Sequence, residues 1–360
     1  MISDGRSCSV PLAKRTCTSC GCVTLHSQLG TAQVRNFYNA DYDLGVVTNL
    51  YDKHRARAYS DKIASIIGPR QPERVFEVGC GSGLVLAELA ETWPSCHLGG
   101  IEPSPALANL RSEGRIEIRQ GFAEAMTSDG RGYDLIYSIN VIEHAAEPVA
   151  FLQAMARLLA PGGNIIVICP QSHRPNTELL FLDHIHSFTS LAMDHIAARA
   201  GLKCIVQDLE PENLGPFQVF VFSRTPSNSD SSFDECLSPD AIHTLHAART
   251  DYFKHWAKLD RKLLARIEGC KTLAAFGAGE AAQLLRTYAP RCWARINQVI
   301  VDEMDKARDV SKPVISYDTF SPATVDATLL AVRPASQDIL SSRLVKDCHS
   351  TIRWDDIVAE

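Results

Sequence analysis

The sequence predicts an α/β protein with a mostly parallel sheet, an antiparallel last strand, a smaller C-terminal α/β domain and a short cysteine-containing N-terminal module. Three observations predict this class. Short apolar runs alternate with helical patterns between residues 51 and 223, which is typical of a sheet covered by helices on both faces. A second strand, glycine turn and helix pattern starts at Lys271, beyond a stretch rich in Ser, Asp and Pro. The first 45 residues have few apolar side chains and carry four cysteines.

Length and composition limit the possible classes. The 360 residues suffice for two domains and a small module at ~150 residues per domain. Hydrophobic residues make up 45% and charged residues 22%, as in soluble globular proteins. The net charge of −6 argues against non-specific binding to nucleic acid. No apolar run approaches the ~20 residues of a membrane span, so we expect no membrane partner. Cysteines in predicted strands indicate reduced thiols and a cytoplasmic location.

Periodicity and turn residues predict the order of the elements. A helix is expected over 51–67, where Gly68 and Pro69 end it. Further helices are predicted at 83–92, 147–160 and 189–200, and strands at 74–79, 96–102, 115–121, 133–140, 164–169, 202–209 and 217–223. Pro161-Gly162-Gly163 predicts a turn after the second of these helices. No helix separates the last two strands, so the last strand should pair antiparallel at the sheet edge.

The second half repeats the alternation on a smaller scale. Asp240 is predicted to N-cap a long helix, and strands are predicted at 297–302 and 327–332. The predicted domains are an N-terminal module (1–45), a cofactor-binding domain (46–224), a linker (225–240) and a helix followed by a C-terminal Rossmann-like domain (241–360).

A glycine-rich loop, EVGCGSG, lies where the first strand turns into a helix. Gly79, Gly81 and Gly83 allow a tight turn and leave room for a ligand against the backbone. The spacing lacks the last small residue of the dinucleotide fingerprint, which would fall at Leu84.

Two acidic residues accompany this loop. Glu102 follows Glu77 by 25 residues and ends the next strand, where a carboxylate suits the hydroxyls of a ribose. Glu77 is expected to point toward the same crevice and to take up a ligand ammonium group.

Four segments in order, EVGCGSG, GIEPSP (100–105), GFAEA (121–125) and DLIYSINVIEHAAEP (134–148), resemble the successive motifs of class I S-adenosylmethionine-dependent methyltransferases. The resemblance implies a Rossmann-like methyltransferase sheet with S-adenosylmethionine as cofactor. Phe122 departs from the family, which often has Asp there to contact the adenine. The resemblance assigns cofactor contacts to Glu77, Gly79, Gly81, Gly83, Glu102, Pro103, Phe122, Ala123 and Asn140.

Histidines near the carboxyl ends of the strands are candidate proton acceptors. His144 follows the fourth strand, and His184 and His186 lie in the loop after the fifth. His184 is the predicted catalytic base, with Asp183 to orient its ring and His144 or His186 in support. The pattern around His184 resembles the acceptor-side loop of sugar methyltransferases. In the C-methylating members a Tyr stands three residues earlier, where this chain has Phe181.

The N-terminal cysteines offer a candidate zinc site. Cys17 and Cys20 form a C-x-x-C-G knuckle whose spacing allows two thiolates to share one ion. Cys8 and Cys22 are the predicted further ligands, with His26 as an alternative to Cys22. No second C-x-x-C pair is present, so zinc and free thiols both remain open.

FGAGEAA (276–282) resembles a second nucleotide-binding loop, with Asp302 placed as a ribose acid 25 residues after Gly277. About 90 residues follow Lys271, too few for a complete dinucleotide-binding sheet with a substrate domain. The order of parts resembles the three-part sugar C-methyltransferases, and this resemblance implies that Gly277, Gly279 and Glu280 help to bind a nucleotide-sugar substrate.

Our first hypothesis is therefore S-adenosylmethionine-dependent C-methylation of a sugar-like small molecule, a nucleotide-linked deoxysugar, in sugar biosynthesis or secondary metabolism. The alternative is O-methylation of a saccharide or secondary-metabolite hydroxyl, which the missing hydroxyl at Phe181 favours. An NAD-dependent oxidoreductase using the 276–282 loop and a non-catalytic cofactor-binding protein are hypotheses from other classes. The sequence does not predict an oligomeric state.

Overall fold

The computed structural model describes the chain except for residues 7, 9, 27–32, 34–35, 39–49, 106–114, 127–129, 226–234, 305–306, 308, 346–349 and 360. The chain divides into two compact units, Val10–His246 and Met1–Ser9 with Ala247–Glu360. The division differs from the predicted boundaries, because it falls inside a long helix and assigns the first nine residues to the C-terminal unit. Most of the predicted linker lies outside the described residues.

The larger unit contains a seven-stranded sheet and a small three-stranded one. Its strands are β1 (Lys14–Thr16), β2 (Val23–Leu25), β3 (Arg74–Val78), β4 (His97–Glu102), β5 (Ile116–Gln120), β6 (Tyr133–Ile139), β7 (Leu159–Pro170), β8 (His186–Ser187), β9 (Leu202–Asp208) and β10 (Phe217–Arg224). Its helices are α1 (Leu50–Ile67), α2 (Leu84–Thr92), α3 (Pro148–Leu158) and α4 (Ser190–Arg199). The helix α5 (Pro239–Arg266) contains the division between the units.

The large sheet has the strand order β5-β4-β3-β6-β7-β10-β9. Strands β3 to β7 pair in parallel, and β10 pairs antiparallel with both β7 and β9. Apolar clusters cover both faces, which explains the near-continuous apolar runs of β6, β7 and β10. The order reverses between β3 and β6, and ligands of open α/β sheets bind at the carboxyl ends of the strands at such a point.

The antiparallel direction of the last strand is confirmed, but its predicted edge position is wrong. β10 lies inside the sheet, and β9 forms the edge. The burial of the two strands gives the reason. β10 is buried along most of its length, whereas β9 exposes Lys203, Ile205 and Val206. An apolar run that is buried on both faces belongs in a sheet interior.

The predicted turn at Pro161-Gly162-Gly163 is also wrong. β7 already begins at Leu159, which pairs with Tyr133 on β6, and a register shift in β6 follows between Tyr133 and Leu135. A Cβ at Gly163 would lie 2.7 Å from the carbonyl oxygen of Tyr133. Glycine thus lets the two strands approach closely, and the chain continues as a bulged strand instead of turning.

The small sheet joins the N-terminal hairpin to the loop that precedes α4. β1 pairs with β2, and β2 pairs antiparallel with β8, with Thr24 opposite His186. Thr189 strengthens this connection, because its hydroxyl donates to the carbonyl oxygen of Cys20 at 2.6 Å and accepts from the amide of Ala192 in α4.

The smaller unit has a five-stranded, entirely parallel sheet with the order β13-β12-β11-β14-β15. Its strands are β11 (Leu273–Phe276), β12 (Gln298–Val301), β13 (Val314–Ser316), β14 (Ala327–Leu330) and β15 (Thr351–Ile352). Its helices are α6 (Glu280–Tyr288), α7 (Pro290–Arg295), α8 (Pro334–Val345) and α9 (Trp354–Ala359), besides most of α5.

The predicted N-cap of α5 is displaced by two residues. The helix begins at Pro239, so Asp240 lies in its first turn. The hydroxyl of Ser238 accepts from the amide of Ala241 instead. Proline suits the first helical position because its missing N–H would have no partner there. None of the helices in the described part of the chain combines the length and apolar character needed to cross a membrane.

Candidate cofactor and acceptor site

The predicted glycine loop forms an open cradle at the carboxyl end of β3. Gly79, Gly81 and Gly83 all have positive φ, at 73°, 53° and 73°. A Cβ at Gly79 would lie 2.4 Å from Cγ2 of Val141, whereas one at Gly81 would meet no atom within 4 Å. Gly79 is therefore needed for close approach to the segment after β6, and the backbone at Gly81 faces free space that a ligand could occupy.

Glu102 supports this loop at the end of β4. Its Oε2 accepts from the amide of Gly81 and its Oε1 from the amide of Ser104, both at 2.9 Å. The side chain is buried, and burial raises the pKa of Glu102 against the opposing effect of the two amide hydrogen bonds. A carboxylate offers about four lone-pair sites. The carboxylate of Glu102 can therefore accept a further hydrogen bond, for example from a ribose hydroxyl.

The side chain of Glu77 is buried more deeply than contact with a ligand ammonium group requires. It is 3% exposed, and Tyr137 donates a hydrogen bond to its Oε2 at 2.9 Å. Burial raises the pKa of Glu77 well above its usual value. The sequence analysis missed Tyr137, although parallel pairing of β3 and β6 places it beside Glu77. The hydroxyl supplies the partner that a buried carboxyl group needs.

The remaining predicted cofactor residues lie on three loops at the same end of the sheet. Pro103 follows β4, Phe122 and Ala123 lead into a short 3₁₀ helix after β5, and Asn140 follows β6. Asn140 has a φ of 55°, which is unusual for a residue other than glycine. Its buried Oδ1 has no hydrogen-bond partner among the described residues. A ligand bound at this strand end would supply a hydrogen-bond donor to that atom.

The structure brings two of the three predicted catalytic histidines together. The ring centroids of His144 and His184 are 4.7 Å apart, in an edge-to-face arrangement. Nδ1 of His144 lies 2.8 Å from the carbonyl oxygen of Asp183 and 3.7 Å from its carboxylate. Nδ1 of His184 lies 3.4 Å from Oε2 of Glu178. Together with Glu143 these residues form what we call the histidine–carboxylate cluster.

Glu143 and Glu178 are members of the cluster that the sequence analysis missed. Glu143 is 1% exposed, and neither of its carboxylate oxygens has a hydrogen-bond partner in the described structure. Burial raises the pKa of Glu143 well above its usual value, and the nearby Glu178 and Asp183 add to that effect. Ser187 donates to Oε2 of Glu178 at 2.8 Å. Only the position of Glu143 beside His144 could have indicated a role.

The burial of His184 disfavours the protonated form of its ring. Burial lowers the pKa of His184 well below its usual value, and His144 and Lys14 lower it further, whereas Asp183 opposes the change. A neutral imidazole has a free nitrogen lone pair, which a proton acceptor or a metal ligand requires. Lys14, from the N-terminal hairpin, donates to the carbonyl oxygen of His184 at 2.6 Å.

His186 does not join the pair. It lies on β8 and stacks on Phe188 with centroids 5.5 Å apart. Burial lowers the pKa of His186 to about 4. Its Nε2 is buried without a hydrogen-bond partner among the described residues.

Phe181 packs against His184, with ring centroids 5.0 Å apart. The position at which the C-methylating enzymes have a Tyr therefore contacts the predicted base in this chain.

The predicted zinc ligands are only partly brought together. Cys17 and Cys20 share a hydrogen bond between their thiols. Cys22 is buried, and its thiol donates to the carbonyl oxygen of Val23. Cys8 belongs to the other compact unit. In the described part of the chain no three cysteines form a metal-binding group, so the zinc site stays a prediction.

Close packing explains why one position of the second glycine loop is a glycine. A Cβ at Gly277 would lie 2.6 Å from the carbonyl oxygen of Ala331, so close strand packing requires glycine there. Gly279 faces open space, and Glu280 begins α6. The predicted ribose acid, Asp302, pairs with Arg343 at 2.8 Å. Nothing in the described structure tests whether this loop binds a nucleotide sugar.

The strand order with its reversal point, the antiparallel β10 and the glycine cradle define a nucleotide-binding α/β domain. Residues 51–207 match the family model of a methyltransferase domain. This part of the chain is thus a class I S-adenosylmethionine-dependent methyltransferase domain, and S-adenosylmethionine is the cofactor of that class. Gly81 with open space beside it and Asn140 with an unpartnered oxygen are compatible with a bound ligand of this kind.

Curated relatives match part of this chain. The chain is 29% identical over 143 residues to trans-aconitate 2-methyltransferase from Streptomyces avermitilis, covering 37% of this chain and 53% of that protein. It is 31% identical over 121 residues to a ubiquinone biosynthesis O-methyltransferase from Parvibaculum lavamentivorans, covering 32% and 48%. The chain thus spans about half the length of these relatives.

Solved structures show only a weak likeness. The CcbJ methyltransferase from Streptomyces caelestis is 15% identical, with coverage of 54% of this chain and 96% of that chain and a TM-score of 0.38. A likeness of this size supports no conclusion about the acceptor.

Proposed function

We propose that the protein transfers the methyl group of S-adenosylmethionine to a small molecule that binds beside the histidine–carboxylate cluster. One observation carries the proposal. The segment after β6 connects the two parts of the site, since Val141 packs on Gly79 of the cradle and Glu143 and His144 belong to the cluster. Donor and acceptor would therefore lie next to each other, and methyl transfer by in-line displacement depends mainly on such positioning.

His184 activates the acceptor in this proposal, and His144 and Asp183 support it. The neutral ring of His184 can accept a proton from a hydroxyl or from an acidic carbon. Glu102 and the three glycines hold the cofactor, with Pro103, Phe122, Ala123 and Asn140 at its adenosine and sulfonium ends. His186 has a weaker claim because its ring stacks on Phe188 and is not part of the group that Glu143, His144 and His184 form.

The finer proposal is C-methylation of a nucleotide-linked deoxysugar. The order of a cysteine knuckle, a methyltransferase domain and a second glycine-loop unit supports it, with Gly277, Gly279 and Glu280 as contacts for the nucleotide part. O-methylation of a saccharide or secondary-metabolite hydroxyl is the second candidate. Phe181 favours this second candidate, because it packs on His184 and has no hydroxyl that could assist carbon acid chemistry.

The test is a methyl-transfer assay with labelled S-adenosylmethionine and separate panels of nucleotide-linked keto-deoxysugars, free sugars and phenolic or aliphatic alcohols. We expect a labelled product from one panel, and the fragmentation of that product identifies a new C–CH₃ or O–CH₃ bond. Gly81→Val should abolish transfer because its side chain fills the cradle. Failure of the protein to bind S-adenosylhomocysteine would refute the proposal as a whole.

A further inference from the structure

The histidine–carboxylate cluster has the composition of a metal site. Within the described residues, Glu143, His144 and His184 each bring one ligand atom within 4.8 Å of the others. Two imidazoles and one carboxylate are a ligand set of catalytic zinc and of other divalent transition cations, and they leave coordination positions open for water or substrate.

The side chain of Glu143 gives an independent reason to expect a ligand here. It is 1% exposed, and both carboxylate oxygens lack hydrogen-bond partners in the described structure. Removing a carboxylate from water without a compensating partner is unfavourable, and a bound ion is one of the recognised explanations for such a group. A cation between Glu143 and the two rings would supply the missing interaction.

The surroundings of both rings favour coordination. Nδ1 of His144 faces the carbonyl oxygen of Asp183 at 2.8 Å, and Nδ1 of His184 faces Glu178 at 3.4 Å. A proton on each Nδ1 leaves the lone pair on Nε2. Metal-binding histidines are commonly oriented in this way, by a carbonyl or carboxylate oxygen on the other ring nitrogen.

The groups around the two rings and the size of the site are also compatible with a cation. Three carboxyl groups, of Glu143, Glu178 and Asp183, lie around the rings, and one ammonium group, of Lys14, approaches from the hairpin. Ligand atoms at ~2.1 Å from one tetrahedral zinc ion lie ~3.4 Å from one another. The observed separation of at most 4.8 Å would have to close by up to about 1.4 Å, which small side-chain rotations can supply.

We propose that Glu143, His144 and His184 bind one divalent transition cation of the zinc type. The chemical role of the cation rests on the proposed function, because it requires a methyl acceptor that contacts the cation. For the second candidate function, O-methylation, an acceptor hydroxyl bound to the cation would become more acidic and would lose its proton to water. Its oxygen would then bond to the methyl carbon as the carbon–sulfur bond of the cofactor breaks, which leaves S-adenosylhomocysteine. His184 acts through the cation in the loaded enzyme and takes the proton itself in its absence.

Cobalt(II) is the probe for the test, because its visible spectrum reports the ligands. Chelator-treated full-length protein should bind about one equivalent of Co²⁺ at the cluster, with d–d bands and without a strong near-ultraviolet thiolate band. Glu143→Gln and His144→Asn should weaken binding at least tenfold. Glu178→Gln should weaken it by ~10–100-fold, because a neutral amide replaces the carboxylate that orients His184. His97→Ala, an exposed histidine at the start of β4, is the matched control and should bind as the parent does.

Two results would overturn the proposal. One is less than about 0.2 equivalents of Co²⁺ bound under conditions that saturate ordinary structural or catalytic sites. The other is a thiolate band that disappears in Cys17→Ser, which would assign the cation to the N-terminal knuckle. Binding of S-adenosylhomocysteine, measured on every variant, shows that the protein is folded. It also separates failure of the cation site from failure of the proposed function.

Discussion

Glu102 is tied to the glycine loop on one side and to its own strand end on the other, through the amides of Gly81 and Ser104. Its carboxylate therefore shapes the cradle as well as offering a ligand contact. The same double involvement applies to His184, whose ring is in the cluster and whose carbonyl oxygen accepts from Lys14. Substitutions at these residues need readouts that separate binding from chemistry.

Glu102→Ala should weaken S-adenosylhomocysteine binding about ten- to hundredfold, since a charge-assisted contact of ~1.5–3 kcal/mol is lost. Isothermal titration calorimetry measures the affinity. Glu117→Ala is the control, because that exposed acid on β5 pairs with Arg119 at the surface. Equal affinity of Glu102→Ala and the parent would remove Glu102 from the cofactor site.

His184→Ala should reduce turnover by ~10²–10⁴-fold, because a positioned proton acceptor is lost. The affinity for S-adenosylhomocysteine should barely change, since the cofactor is expected against β3 and β4. His184→Gln should behave like His184→Ala if proton transfer or cation binding is lost, whereas it would restore turnover if the ring only donated a hydrogen bond. Single-turnover assays at saturating cofactor provide the measurement. A variant that keeps more than about a third of the parent rate would move the role to His144 or His186.

The thiol of Cys17 should react with iodoacetamide faster than the thiol of Cys204 in chelator-treated protein. Burial opposes ionisation, but hydrogen bonds from the amides of residues 19–21 outweigh it and lower the pKa of Cys17. Burial raises the pKa of Cys204 to about 11. The thiolate is the reactive form, so at pH 8 the side chain with the lower pKa is labelled faster. Peptide mass spectrometry over time measures both rates, and faster labelling of Cys204 would contradict the prediction.

The loops at the carboxyl ends of β3 and β6 are packed as one element of the site. Val141 occupies the space where a side chain at position 79 would project, while position 81 is open. This asymmetry distinguishes a glycine required for packing from one required for ligand access, although the sequence shows both in the same motif.

Gly79→Ala should destabilise the protein more than Gly81→Ala. Both place a Cβ at positive φ, at a penalty of ~1–2 kcal/mol, but only the first also brings it to 2.4 Å from Val141. Urea unfolding gives the free energy of unfolding for each variant. The double variant Gly79→Ala/Val141→Ala removes the clash and should recover part of the difference. Equal destabilisation by the two single substitutions would refute the packing role.

The whole chain carries two glycine loops at strand–helix turns, one in each compact unit. They differ in the acid that follows them. Glu102, the acid after the first loop, accepts a hydrogen bond from the amide of Gly81 in that loop. Asp302, the acid after the second loop, pairs with Arg343 instead. Arg343 also lies 3.5 Å from the ring centroid of Tyr317, which keeps the guanidinium over the end of that sheet.

S-Adenosylhomocysteine at a hundredfold excess over its dissociation constant should stabilise the folded protein by ~2.7 kcal/mol, whereas NAD at the same concentration should leave the melting temperature unchanged. Differential scanning calorimetry tests both ligands on the full-length chain. Gly81→Val should lose the response to S-adenosylhomocysteine. A shift with NAD and none with S-adenosylhomocysteine would favour the oxidoreductase hypothesis instead.

The sequence by itself predicted the seven strands of the large sheet, the strands β11, β12 and β14 of the smaller unit, the antiparallel direction of β10 and the glycine loop, because these depend on apolar periodicity and on turn residues close together in the chain. It also singled out His144 and His184 from their places after strands. It did not predict the short strands β1, β2, β8, β13 and β15. The predictions failed where pairing between strands that are distant in sequence determines the structure. β10 lies inside the sheet, and residues 161–163 continue β7, because pairing with other strands outweighs the local turn preference.

Only the tertiary structure decided the composition of the acceptor site. Glu178 lies in a short 3₁₀ helix, six residues before His184, and Glu143 lies in the 134–148 segment without an assigned role, yet folding places both carboxyl groups beside the two rings. Tyr137 reaches Glu77 only because β3 and β6 pair in parallel. Burial then sets the protonation of these groups, and burial is a property of the packed chain and not of the residue order.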